Sequence, residues 1–308
     1  MTKTLAFFGA SVTQQSSGYV SKIDELSNHT YKIVQRGYGS MHLNDAGVCF
    51  IDDIIDLTPD YCFIDWFSTG FILTDIKILS TYLDGIIRKL LLNNCIPIFL
   101  LLDRMDMCEN RLKFYNIVIQ YANEYNIHYV NLYNNANVKD LLRDTVHTSE
   151  LGSNYYGIKI YDFFKDNVIN ADITRKIPSE NEMSLIKSIT QDITVHDNIK
   201  LKGNFRLMGI YQQIGPFSGM YEIDSNCTVQ KFNLWDQWCH YNRLNIKMST
   251  KQLCSYVDIK LLSDKFDTTN CKTDINFDNV EKYMEIKRIF YVGQMYIDSI
   301  DNTKIKNY

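Results

Sequence analysis

Five short apolar runs, each followed by a stretch with helical periodicity, dominate the first half of the chain. They cover residues 5–8, 31–35, 61–67, 96–102 and 128–132. The run at 96–102 is almost wholly apolar, a composition that suits a strand covered on both faces. Amphipathic stretches reach to about residue 26 and about residue 57, and fill 73–92, 107–125, 137–143 and 151–166. Strands joined through helices pair in parallel, and right-handed crossovers place those helices on both sides of the sheet. The expected fold is therefore α/β, a three-layer α/β/α flavodoxin-like domain around a parallel five-stranded sheet. In such sheets the chemistry gathers beyond the carboxyl ends of the strands. The residues just past each strand are the ones to read for function.

The rhythm changes after about residue 170. Charged, helix-compatible residues fill 178–191, and strand-like alternation then takes over at 199–211, 219–223, 228–234, 243–248, 253–262 and 287–296. Turn residues such as Gly215-Pro216 and Asp224-Ser225-Asn226 separate some of these runs. The pattern predicts two domains, an α/β domain over 1–170 and a mainly antiparallel β-sandwich domain over 171–308.

Bulk properties narrow the function. A net charge of −4 gives no electrostatic footprint for nucleic acid. No apolar run is long enough for a membrane span. The opening Met1-Thr2-Lys3-Thr4-Leu5-Ala6-Phe7-Phe8-Gly9 reads as a buried strand entering a glycine turn, and it lacks the long apolar core of a secretory signal. A cytoplasmic location is expected. The 8 cysteines are scattered, with no C-x-x-C pair, and read as reduced, mostly core thiols with no metal site.

Two constellations carry chemistry. Gly9-Ala10-Ser11-Val12 follows the first strand directly, which puts the Ser11 hydroxyl at the carboxyl edge of the sheet. The helix that begins there offers free N–H groups to a developing oxyanion, although a serine in this place also caps helices. Asp144-Thr145-Val146-His147 follows the fifth strand, at the same edge. An imidazole there can take the serine proton while the carboxylate orients it.

Serine first and D-x-x-H last is the block order of the SGNH, or GDSL-type, hydrolase superfamily, which residues 3–166 resemble. The resemblance also takes in Arg36-Gly37-Tyr38-Gly39-Ser40 after the second strand. It implies that Ser11 is the nucleophile, His147 the base and Asp144 its partner. The backbone N–H of Ser11 and of Gly39 (Ser40 if the register is one residue later) would line the oxyanion hole. Two positions depart from the family pattern. Ala10 replaces the Asp before the serine, and the third block, Asp65-Trp66-Phe67-Ser68-Thr69-Gly70, has Thr69 where the family has an oxyanion-binding Asn. A hydroxyl from Ser68 or Thr69 would have to donate instead, a contribution of roughly 3 kcal/mol per donor.

Further candidates follow from position. Ser68, Asp103 and Arg104 end the third and fourth strands and are candidates to bind substrate, with an Arg–Asp surface pair as the plainer role for the last two. Asp65 and Trp66 line the cleft or simply pack. In the second domain Trp235-Asp236-Gln237-Trp238-Cys239-His240-Tyr241 combines aromatic faces with polar groups, a pattern that stacks on sugar rings or fills a sandwich core. The small β-sandwich partners of SGNH domains often resemble carbohydrate-binding modules. The resemblance implies a serine-dependent carbohydrate O-acyl esterase, O-acetyl above all, or an O-acyltransferase, acting on a glycan or polysaccharide precursor. An esterase needs no cofactor, whereas a transferase would draw on acetyl-CoA or another acyl donor. The alternative is a catalytically impaired SGNH-like protein that binds a glycan without turning it over. Neither the oligomeric state nor the sugar is written in the sequence.

Overall fold

The computed structural model describes residues 2–133, 135–169, 173–226, 228–234, 238–249, 252–262, 272 and 280–301. The chain divides into two compact units, Met1–Ser184 and Leu185–Tyr308.

The first unit contains the expected parallel sheet. Its strands are β1 (Thr4–Gly9), β2 (Lys32–Gly37), β3 (Tyr61–Asp65), β4 (Ile96–Leu101) and β5 (His128–Asn131), in the order β2-β1-β3-β4-β5. The chain runs outward from β1 to β2 and then returns past β1 to β3. That reversal makes the carboxyl ends of β1 and β3 the switch point where α/β sheets open a crevice. Helices α1 (Ser11–Gln14), α2 (Tyr19–Ser27), α3 (Ile51–Ile55), α4 (Ile76–Leu92), α5 (Glu109–Tyr125), α6 (Val138–Leu141) and α7 (Glu150–Asn167) connect and cover the strands. All residues of β1 and β3 are buried, and successive side chains serve opposite layers. Phe7 stacks on Phe63 at 4.6 Å within the cluster that holds Tyr156, Ile160 and Phe164 of α7. Phe8 meets Trp66 edge-on at 5.1 Å.

Capping explains several helix limits. Asp75 accepts the Lys77 amide at 2.8 Å to start α4, and Ser149 accepts the Gly152 amide at 3.1 Å to start α7. Asn126 closes α5 in the left-handed conformation. Between β2 and β3 the expected continuous helix is replaced by a π-helical turn, Leu43–Gly47, followed by the short α3. Asp45 accepts the His42 amide at 2.7 Å, so the polar Asn44-Asp45 pair and Gly47 favour a capped turn over a regular helix.

The division between units falls after Ser184, beyond the predicted boundary at residue 170. Residues 173–184 are strapped onto the first unit. The Lys176 amide donates to the Tyr125 carbonyl, Arg88 to the Pro178 carbonyl, and Asn181 to the Thr81 carbonyl. The helix expected over 178–191 is limited to a 3-10 turn at Glu182–Leu185, and Lys187–Val195 forms strand β6. Its Ile, Thr and Val side chains suit a pleated surface better than a helix.

The second unit is antiparallel throughout its described strands. They are β6, β7 (Asn198–Ile214), β8 (Met220–Ser225), β9 (Val229–Asn233), β10 (Arg243–Met248), β11 (Leu253–Leu262) and β12 (Met284–Asp301), in the order β6-β12-β7-β11-β8-β9. The sheet branches at β7, whose first half pairs with β11 and whose second half pairs with β10. Gly203 and Gly293 adopt positive φ where β7 and β12 pinch together, and a Cβ on either would collide with the opposite backbone. Val195, Ile199, Leu201, Phe205, Tyr221, Ile259 and Ile286 share one buried core. No α-helix lies among the described residues of this unit, and its seven described strands belong to a single antiparallel sheet. No described helix anywhere in the chain is long and apolar enough to cross a membrane.

Candidate active site

Ser11 opens α1 at the end of β1, so its amide is one of the first-turn N–H groups that no helical carbonyl can reach. His147 lies 136 positions away in sequence, yet its Nε2 is 2.9 Å from Ser11 Oγ. Asp144 Oδ2 lies 2.9 Å from His147 Nδ1. The three residues form one continuous hydrogen-bonded chain.

The acid and the base share a single turn. Asp144 Oδ1 accepts the amides of Val146 at 3.0 Å and His147 at 2.8 Å. Burial disfavours the Asp144 anion, but those two amides and the imidazole outweigh it and bring the carboxyl down to about 2. The carboxylate is thus ionised across the neutral range and can only accept. His147 Nδ1 must then carry the proton, which leaves the Nε2 lone pair facing the serine hydroxyl. The turn caps a small hairpin. Leu142 bridges to Thr148, the Arg143 amide donates to the His147 carbonyl at 2.9 Å, and the Met105 amide beyond β4 donates to the Thr145 carbonyl at 3.0 Å.

The loop after β2 is tied to the same edge, with the Tyr38 amide donating to the Gly9 carbonyl at 2.9 Å. Gly39 lies against the Gln14 side chain, so that a Cβ there would stand 2.6 Å from Gln14 Oε1. Ser40, the other candidate of this block, is held at φ 59°.

The third block is arranged differently from the sequence expectation. The buried Ser68 hydroxyl donates to Asp65 Oδ1 at 2.6 Å, and the buried Thr69 hydroxyl donates to the Trp66 carbonyl at 3.3 Å. Both hydroxyls are therefore engaged within the block itself. Its carbonyls are gripped from behind: Arg104 Nη1 donates to Ser68 O at 2.5 Å and Arg111 Nη1 donates to Thr69 O at 2.9 Å. Asp106 takes Arg104 in a two-point pair at 2.6 and 2.8 Å. Asp103 accepts the Arg104 amide at 2.9 Å and the Asn135 amide at 2.8 Å. Ser68, Asp103 and Arg104 are all buried and turn their polar groups onto the protein, where the sequence had suggested substrate contact. The surface Arg–Asp pair also differs, since Arg104 is buried and its side chain pairs with Asp106. Trp66 is core.

Asp65 is fully buried at the end of β3. Its Oδ2 accepts the Thr13 hydroxyl at 3.1 Å, and Thr13 Oγ1 lies 2.8 Å from Tyr19 Oη. Desolvation raises its carboxyl to about 7 despite the opposing hydrogen bonds from Ser68 and Thr13. The unfolded chain releases this proton near pH 4 and the folded chain near pH 7, so between those values the folded state binds more protons and stability falls as pH rises. The shift corresponds to about 4 kcal/mol, fully expressed above pH 7. Asp65→Asn is expected to flatten this decline in urea titrations run from pH 4 to 8. Parallel curves for the two proteins would contradict the assignment.

In the second unit Trp238 and Tyr241 are 37% and 47% exposed, and the Lys272 ammonium lies 3.6 Å above the Trp238 ring. Cys239 between them is buried. Trp235 lies outside the described residues. Tyr221 and Gln212 belong to the interior, with Tyr221 stacked on Phe232 at 5.1 Å.

Sequence reading missed Gln15, Gln35, Asp106 and Arg111. Gln15 Oε1 accepts the Thr148 amide at 3.0 Å and the Thr148 hydroxyl at 3.2 Å, and its Nε2 donates to the Thr148 carbonyl at 3.3 Å. Gln35 Nε2 in turn donates to the Gln15 and Thr13 carbonyls. The available signal was Asp106 close behind Arg104. Nothing local marks Gln15.

The parallel sheet, with a serine after its first strand and a D-x-x-H turn after its fifth, is the arrangement that the resemblance to the SGNH, or GDSL-type, hydrolases led us to expect. Among solved structures, a two-domain esterase active on acetylated mannans matches with a TM-score of 0.66 and 14% identity, over 96% of this chain and 92% of that one. The acetyl xylan esterase AlAXEase matches with a TM-score of 0.45 and 21% identity, over 52% of this chain and 98% of its own. The psychrotrophic esterase EstA from Pseudoalteromonas sp. matches with a TM-score of 0.46 and 17% identity, over 55% of this chain and all of its own (100%). No protein-family model matches the sequence, and no curated protein matches it by sequence.

Proposed function

We propose that this chain is a serine-dependent carbohydrate O-acetyl esterase. The observation that carries the reading is the chain Ser11 Oγ to His147 Nε2, and His147 Nδ1 to Asp144, with both steps at 2.9 Å. In the first half-reaction Ser11 Oγ attacks the acyl carbonyl and its proton passes to His147 Nε2. The amides of Ser11 and Gly39 receive the oxyanion. Collapse breaks the ester bond, His147 protonates the departing sugar oxygen, and the acyl group remains on Ser11. In the second half-reaction His147 takes a proton from water, whose oxygen attacks the acyl carbonyl, and returns that proton to Ser11 Oγ as the serine leaves and the acid is released.

The likeness to an esterase active on acetylated mannans, extending over 96% of this chain, supports an acetylated polysaccharide or its precursor as the substrate. A sugar hydroxyl in place of water would make the same acyl-enzyme an O-acyltransferase, with acetyl-CoA or another acyl ester as donor. Incubation with acetylated mannan and acetylated xylan is expected to release acetate, and Ser11→Ala to abolish that release. A fluorophosphonate is expected to label the wild type once, at Ser11. A folded protein that neither labels nor releases acetate would overturn the reading in favour of a glycan-binding protein. Transfer of acetyl from acetyl-CoA to a sugar acceptor without net hydrolysis would place the chain among transferases.

A further inference from the structure

We propose that Gln15 is a positioning residue that holds the His147 turn against the Ser11 helix, and that this hold matters most after Ser11 has been acylated. The proposal rests on the esterase reading above.

Two sets of hydrogen bonds join residues 9–18 to residues 142–149 among the described residues. One is the Ser11–His147 bond itself. The other is the Gln15 carboxamide, which pairs with both the N–H and the C=O of Thr148 as a neighbouring strand would. Gln15 is well placed to bear load. It ends α1, its carbonyl is held by Gln35 of β2 at 3.0 Å, and its partner Thr148 is buried and anchored to Ser153 Oγ at 2.7 Å. Thr148 adjoins His147, so a shift at this peptide moves the imidazole directly.

The chemistry separates the two ties. In the free enzyme the serine hydroxyl donates to Nε2 and both ties are present. In the acyl-enzyme Ser11 Oγ is esterified and has no proton to give, so the first tie is gone. His147 must still hold Nε2 where it can deprotonate the incoming water, and the Gln15–Thr148 pairing is then the tie left between the two segments. A misplaced base costs rate steeply because proton transfer needs hydrogen-bond reach.

Gln15→Leu keeps the shape and removes all three hydrogen bonds. With p-nitrophenyl acetate, kcat is expected to fall about 10- to 100-fold while kcat/KM, which reports acylation, falls less than about 5-fold. Deacylation then limits turnover, and stopped-flow mixing should show a burst of nitrophenol approaching one equivalent. A folded Gln15→Leu whose kcat is unchanged, or whose kcat and kcat/KM fall together, overturns the proposal. A readout that needs no turnover is the His147 Nδ1–H proton resonance. It is expected to be sharp in the wild type, in Ser11→Ala and in Gln15→Leu, each of which keeps at least one tie, and broadened by solvent exchange in the double variant Ser11→Ala/Gln15→Leu, which keeps neither. An unchanged resonance in the double variant also overturns the proposal, whereas an inactive wild type with the expected resonances overturns only the esterase reading.

Discussion

Asp144→Asn is expected to lower kcat for ester hydrolysis by about 10⁴-fold, the loss that such a change brings to serine hydrolases, while leaving the fold intact. The geometry says why. Asp144 Oδ1 accepts two amides, those of Val146 and His147. In the variant the single carboxamide oxygen must take that place, because an NH2 group there would face two donors. The amide NH2 is thereby turned toward His147 Nδ1, where Oδ2 stood at 2.9 Å. A donor facing Nδ1 favours the tautomer with its proton on Nε2, and that ring cannot accept from Ser11. The side chain of Asp144 is 51% exposed, so little stability depends on its charge. Steady-state kinetics with p-nitrophenyl acetate beside a melting curve would check both halves. A loss of less than about 10-fold would contradict the role assigned to Asp144.

Gly152→Ala is expected to have the largest effect on stability. Gly152 lies in the first turn of α7, and a Cβ there would stand 2.7 Å from the Leu141 carbonyl carbon and closer still to its oxygen. That oxygen is already committed to the Ser149 amide at 2.9 Å. The obstacle is backbone rather than the tip of a flexible side chain, so the clash can be relieved only by moving the helix or the start of the hairpin. Overpacking costs about 1–3 kcal/mol in ordinary cores, and this contact belongs at or above the upper end. A loss of about 3 kcal/mol lowers Tm by about 10 °C in a domain of this size. Activity measured well below Tm should fall too, because the displaced segment leads into the Leu142–Thr148 bridge that carries His147. A Tm within about 2 °C of the wild type would show that the two segments separate freely.

Much of this architecture is legible in the sequence because it depends on short-range pattern. The five apolar runs become the five strands in order, and the residues just beyond the first and fifth strands are Ser11 and the Asp144–His147 turn, which meet. What could not be read depends on pairs that only the topology brings together. Gln15 reaches Thr148, and Arg111 of α5 reaches the Thr69 carbonyl, across separations that carry no periodic signal. The hydroxyls of Ser68 and Thr69 looked like replacements for a missing amide donor. Their actual direction is set by the fully buried Asp65 carboxylate and the Trp66 carbonyl, which claim the nearest donors in a water-poor setting. At 178–191 the charged residues suggested a helix, but the β-branched residues of β6 found a partner strand in β12.

The hydrogen bonds that set the Asp144 carboxylate against the imidazole all arise inside one turn of four residues. Acid and base therefore keep their mutual geometry wherever the hairpin is carried, much as a tool head keeps its shape when its handle moves. Damage elsewhere in the first unit should disable the site by displacing this turn as a piece, with the imidazole still correctly protonated and simply out of reach of Ser11. The converse also holds. Activity lost in this way is recoverable by any second change that returns the turn to its seat, so compensating substitutions should gather around Met105, Gln15, Thr148 and the first turn of α7, far more than within the turn itself.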